Sequence, residues 1–165
     1  MRPTRILRHL LAPHWTARFA FPRTALRRIG EAVTRSEKLH RGEIRFVVEG
    51  GMPFDDLARG VHARARAEAL FARLRVWDTE DNSGVLLYVQ RVDRRIEIVA
   101  DRGIAARVAQ AEWDAICRGM EAAFRERRFE AGALEAIERV TALLAAHFPP
   151  GGDNPNELPD RPVVL

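Results

Sequence analysis

The chain has 165 residues, with 27 Lys or Arg against 23 Asp or Glu, a net charge of +4. That length supports one domain with a real core, and the balance of apolar and charged residues is that of a globular protein. A single cysteine, Cys117, rules out an intrachain disulfide, and no apolar stretch is long enough to cross a bilayer.

The charge is unevenly placed. Residues 1–41 hold nine Arg and Lys38 against Glu31 and Glu37, a net +8, while residues 42–165 are mildly acidic. A basic arm on an acidic domain points to an anionic partner, either a membrane surface or nucleic acid. The arm spans residues 1–22. Ile6, Leu7, Leu10 and Leu11 recur at helical spacing with Arg5, Arg8 and His9 between them, Pro13 ends the run, and Trp15, Phe19 and Phe21 follow. The charges interrupt the apolar run too early for a signal peptide. Such a segment suits an interfacial helix, with Arg2, Arg5, Leu7, Arg8, Leu11, Trp15 and Arg18 as its docking residues. The competing reading folds the arm back over the domain's own apolar surface.

Pro22 and Thr24 open a second helix whose face is Leu26, Ile29 and Val33. Residues 43–49 alternate, with Ile44, Phe46 and Val48 facing one way and Arg45 and Val47 the other, which predicts a strand. After Gly50-Gly51, Pro53 and the pair Asp55-Asp56 start a helix expected to run to about Leu74. An apolar strand over Val85–Val89, a turn at 91–94 and an alternating strand over Arg95–Val99 come next. Trp113, Ile116, Cys117, Met120 and Phe124 form a helical stripe, and Phe129 to Gly132 marks a bend. A last helix carries Leu134, Ile137, Val140, Leu144 and Phe148, and the Pro-rich tail 149–165 is expected to be disordered. The first strand-helix-strand unit predicts a parallel crossover and the four-residue link an antiparallel hairpin. The fold class is α/β, a three-layer sandwich of a small mixed sheet with helices on both faces.

Asp78, Glu80, Asp81 and Asn82 precede the second strand, where oxygen ligands could gather around Ca²⁺ or Mg²⁺. An EF-hand is excluded, because Ser83 and Val89 occupy the positions that need Gly and Glu. Hairpin geometry returns Asp101 to the same end of the sheet, near Asp81 and Asn82, so Asp78, Asp81, Asn82 and Asp101 form the candidate cation set. The plainer reading is a solvated loop whose side chains cap turns. Asp93 sits in the hairpin turn, where Asp is expected for local reasons. The histidines at 9, 14, 40, 62 and 147 have no zinc-ligand spacing, and no P-loop, G-x-S-x-G or G-x-G-x-x-G is present. Cys117 on an apolar helix face reads as structural. The arm lacks the aromatic interleaving of single-strand binders, and no helix-turn-helix pattern is visible.

Residues 42–148 resemble the TPM domain family, named partly after a thylakoid lumen protein. The resemblance is carried by Gly42-Glu-Ile-Arg-Phe-Val-Val48, Arg75-Val-Trp77, Asn82-Ser-Gly-Val-Leu-Leu87, Asp93-Arg-Arg-Ile-Glu-Ile-Val99, Arg102-Gly-Ile104 and the block Phe124 to Gly132. It implies a domain over 23–148, an α/β/α sandwich, a divalent-cation cleft, and the acid phosphatase activity attributed to plant members. Many bacterial members resemble envelope-associated accessory proteins. Asp81, Asn82 and Gly84 match the family's loop and Asp93 its hairpin turn. The family's Gly-x-Gly-Leu-Glu reads Asp101-Arg-Gly-Ile-Ala105 here, so the acid is missing at 105. The reading is a non-catalytic accessory module, cytoplasmic and held on the inner membrane face or on a protein partner by its arm. The alternative is a weak divalent-cation-dependent acid phosphatase using Asp78, Asp81 and Asp101, and nucleic-acid binding ranks third.

Overall fold

The computed structural model describes residues 3–12, 15–151 and 156–165, without the side chains of Pro3 and Trp15. The alternating segment forms β1 (Ile44–Glu49) at the centre of the sheet. The apolar run forms β2 (Val85–Gln90), parallel to β1 with Ile44 opposite Val85 and Glu49 opposite Gln90. After the expected turn, β3 (Arg95–Ala100) runs back antiparallel with Gln90 opposite Arg95.

Side-chain alternation sends the two faces of these strands into two cores. Ile44, Phe46, Val48, Val85, Leu87, Val89, Ile96 and Ile98 meet one helical layer: α3 (Arg23–Ser36), α7 (Gln110–Arg125) and α8 (Phe129–His147). Val47, Leu86, Tyr88 and Val99 meet α5 (Ala63–Arg73) on the other face through Ala63, Ala67 and Leu70. The α/β/α architecture is therefore the expected one. Trp113, Ile116 and Met120 are buried, and Phe124 is half-buried. Phe124 borders a ring cluster in which Phe21 touches Phe46, Phe124 and Phe129 at centroid distances of 5.6, 5.8 and 5.9 Å. Phe21 and Phe46, the fully buried members, are each worth about 1.5–3 kcal/mol.

Three elements depart from expectation. The helix expected from Pro53 to Leu74 is broken into α4 (Phe54–Ala58) and α5, because Gly60 takes φ +74° and His62 caps the restart by accepting the Ala65 N–H. The bend near 129–132 falls earlier, where Arg127 has φ +60°, and α8 already begins at Phe129. Gly132 lies inside α8, where a Cβ would come 2.7 Å from the Ala123 Cβ, so its bareness lets α7 and α8 approach. The tail is not a disordered extension over 156–165. Leu158 is buried, and β4 (Val163–Val164) pairs in parallel with β1 to give the order β3-β2-β1-β4. The bare edge of β1 needed backbone partners, and the tail supplies them: Leu165 N–H donates to Val48 O and Gly50 N–H to Leu165 O.

Two short helices belong to the arm, α1 (Pro3–Leu10) and α2 (Trp15–Ala20), and α6 (Arg102–Ala105) follows β3.

Candidate functional site

The acidic loop lies at the amino-terminal end of β1 and β2. The hairpin returns Asp101 to it as expected: Asp101 N–H donates to Gly84 O at 2.8 Å, and Gly103 N–H to Asn82 O at 2.9 Å. Backbone meets backbone here, since a Cβ on Gly103 would sit 2.4 Å from Asp81 O. Arginine or a helix end answers several of the side chains. Arg41 stands 2.9 Å from Asp81, and Arg102 Nε donates to Asn82 Oδ1 at 2.8 Å. Asp101 Oδ1 accepts the Arg102 N–H at 2.7 Å and caps α6. Asp78 is exposed, 3.9 Å from Arg75. Among the described residues, no group of three or more His, Cys, Asp or Glu side chains converges to hold a metal ion. The donor set fits the cation implied by the resemblance poorly, because guanidinium groups already supply the positive charge that an ion would bring. Two buried atoms at this end, Asp101 Oδ2 and Ser83 Oγ, have no hydrogen-bond partner among the described residues.

Nearby, Glu37 and Glu43 are buried together. Burial pushes both carboxyls above the ordinary value, and each feels the other. Glu37 accepts the Ile44 N–H and Glu43 accepts the Glu157 N–H, so the pair ties the tail to the start of β1. Burial lowers His40 to about 4, which keeps its ring neutral near pH 7.

At the opposite end of the sheet the arm folds back with its polar face inward. Arg5 is bidentate on Asp93, with Nη2 at 2.7 Å and Nε at 3.1 and 3.2 Å. The His9 side chain is fully buried, its Nε2 3.1 Å from Asp93 Oδ1. His9 Nδ1 accepts the Met52 N–H at 3.0 Å, so the ring proton sits on Nε2 and points at Asp93. Burial works against the Asp93 charge, but the bonds from Arg5 and His9 outweigh it and hold the carboxyl below its ordinary value. Gly51 permits the close approach, since a Cβ there would lie 2.7 Å from His9 O.

The inward turn of Arg5 and His9 leaves the arm's leucines facing outward. Leu7 is 57% exposed, Leu10 58% and Leu11 71%, with Phe19 of α2 at 78% and Phe54 of α4 at 56%. Of the seven expected docking residues, Leu7, Arg8, Leu11 and Arg18 are exposed and Arg5 is spent on Asp93. Arg2 and the Trp15 side chain lie outside the described residues.

A cavity of about 940 Å³ opens between the arm, α4 and β4, at the carboxyl ends of the parallel strands. Its floor is a buried ionic network. Arg66 is bidentate on Glu49 at 2.6–3.2 Å and donates to Asp56 at 3.0 Å. The Tyr88 hydroxyl donates to Glu49 at 2.5 Å, and burial with the Glu49 charge pushes its pKa up, so it stays protonated. This network and the Arg5–His9–Asp93 clamp were missed from sequence. The signals present were weak: Glu49 and Gln90 close otherwise apolar strands, and Arg66 interrupts the Ala63–Ala67–Leu70 stripe. Cys117 is half-buried and its thiol is pushed up to about 12, first by burial, as suits a structural cysteine.

The model of the TPM domain family matches residues 20–143. No curated protein matches the chain. Among solved structures, the chain is similar to the BA42 protein of the psychrophilic bacterium Bizionia argentinensis, determined by NMR, with 29% identity and a TM-score of 0.72. That match covers 85% of this chain and 92% of the other.

Proposed function

The chain belongs to the TPM domain family, and we propose that it is a non-catalytic interaction module of that family, docked by its N-terminal arm on an anionic membrane surface. One observation carries this reading. The arm spends Arg5 and His9 on the domain and turns Leu7, Leu10 and Leu11 to solvent. A helix that merely covered its own domain would bury its leucines and expose its charges. Contiguous exposed apolar side chains mark a binding surface, and Arg8 and Arg18 stand exposed beside them. Each basic residue at an anionic bilayer is worth about 1 kcal/mol. No helix among the described residues is long and apolar enough to cross a membrane, so the attachment proposed is peripheral.

Co-sedimentation of the full chain with phosphatidylglycerol-containing and pure phosphatidylcholine vesicles tests it. Salt-sensitive binding to the anionic vesicles is expected, lost in Leu7→Glu/Leu11→Glu with an unchanged urea midpoint, since both side chains are exposed. Equal binding to neutral vesicles, or none to either, overturns it. A weak cation-dependent phosphatase is the second reading, favoured by the buried Asp101 Oδ2 and Ser83 Oγ, which have no partner among the described residues. Mg²⁺- or Ca²⁺-dependent hydrolysis of p-nitrophenyl phosphate that disappears in Asp101→Asn would support it.

A further inference from the structure

We propose that the cavity beside the arm is a site for one anionic phospholipid, its phosphate held by Arg18 and Arg73 and its chains laid over Leu10 and Phe54. This deepens the membrane-docking reading and rests on it for the source of the ligand. The position is where open α/β sheets seat ligands, outside the carboxyl ends of parallel strands. The volume, about 940 Å³, is that of a small-molecule pocket.

The charges in the lining select the ligand. Glu49 is paired with Arg66 and accepts the Tyr88 hydroxyl, and Asp56 is shared by Arg66 and Arg59, so two guanidinium groups balance two carboxylates. Arg18 and Arg73 also line the cavity, are exposed, and have no ion-pair partner among the described residues. The surplus is two guanidinium groups, the side chains best suited to phosphate oxygens. The rim is apolar: Leu10 and Phe54 line the same cavity and are more than half exposed. A small hydrophilic anion would leave that rim in water, and a neutral lipid would leave the two arginines unanswered. An anionic amphiphile satisfies both. Leu10 belongs to the cavity wall and to the outward leucine face, so the mouth opens on the surface that would meet the bilayer.

The experiment follows amide chemical shifts of the isotopically labelled full chain by NMR during titration with dihexanoylphosphatidylglycerol below its micelle concentration. Dihexanoylphosphatidylcholine and inorganic phosphate are the comparison probes. Saturable shifts of Gly51, Met52 and Phe54 with the glycerol lipid are expected. They should be about tenfold weaker with the choline lipid and with phosphate alone, and about tenfold weaker in Arg18→Gln/Arg73→Gln, whose spectrum should remain dispersed. No shift at these amides, equal shifts with the choline lipid, or their full reproduction by inorganic phosphate overturns the site. The two readings fail separately. Vesicle binding without monomer shifts removes the cavity and leaves the arm, and monomer shifts without vesicle binding remove the arm and leave the cavity.

Discussion

The two ends of the sheet use arginine in opposite ways. At the amino-terminal end, Arg41 and Arg102 close on Asp81 and Asn82, and the backbone packs so tightly that a Cβ on Gly84 would lie 1.9 Å from Val76 O. Arg41 matches the Asp81 charge there, which leaves Asp101 Oδ2 and Ser83 Oγ as buried atoms without a partner among the described residues. At the other end Asp93 and Glu49 consume Arg5 and Arg66, yet Arg18, Arg73 and the outward leucines remain. A cluster of acids in a sequence is thus a poor guide to a site when guanidinium groups from distant turns fold onto it. Surplus charge, counted after pairing, is the better guide.

The largest effect expected concerns whether the arm is separable from the domain. Phe21, within the segment read from sequence as arm, is fully buried among Phe46, Phe124 and Phe129. Phe21→Ala should cost about 3–5 kcal/mol in a reversible urea titration. Truncation at Thr24 should therefore unfold the domain as well as remove the arm, and the surface variants Leu7→Glu and Leu11→Glu are the proper probes of docking. A loss below about 1 kcal/mol for Phe21→Ala would detach α2 from the core and make the two ends independent after all.

The sheet was legible because its signals are local. Period-two alternation over 44–49, the four-residue hairpin link and the 113–124 stripe each declare themselves within a dozen residues. The juxtaposition of Asp101 with Asp81 and Asn82 followed from hairpin geometry alone. What those groups would then contact did not, because Arg41 reaches Asp81 from 40 residues away. The arm's periodicity was visible, but its orientation was not. Hydrophobic spacing predicts which side chains share a face, and only the partners, here Asp93 and the Met52 N–H, decide which face turns inward. The tail misled because its prolines and glycines look disordered, while its last residues satisfy the edge of β1.

The clamp at Asp93 carries the next largest effect. Asp93→Asn leaves the Arg5 guanidinium half-buried without a carboxylate and should cost about 1–3 kcal/mol near pH 7. The pH dependence has a definite sign. The folded-state pKa of Asp93 is lowered, so its contribution is complete above the ordinary value of 3.8 and is lost as pH falls through that value and below. The stability gap between wild type and Asp93→Asn, measured by urea midpoint, should be widest near neutrality and shrink toward pH 3. A gap that is the same at both pH values would mean that the clamp holds by shape, and the arm's inverted orientation would need another cause.

The smallest effect tests the amino-terminal end. Arg41 and Asp81 are both partly exposed, 40% and 28% at the side chain, so Arg41→Ala should change stability by less than about 1 kcal/mol, and less still in high salt. Calorimetry with Ca²⁺ makes the same substitution informative about charge. If Arg41 stands where a cation would, binding heat should appear in Arg41→Ala and be absent from wild type, because only the variant leaves Asp81 unanswered. Heat from wild type that Asp81→Ala or Asp101→Ala abolishes would reverse the contrast between the ends: the acidic loop would then be a cation site that releases its arginine on binding, and the surplus-charge argument would have pointed to the wrong end of the sheet.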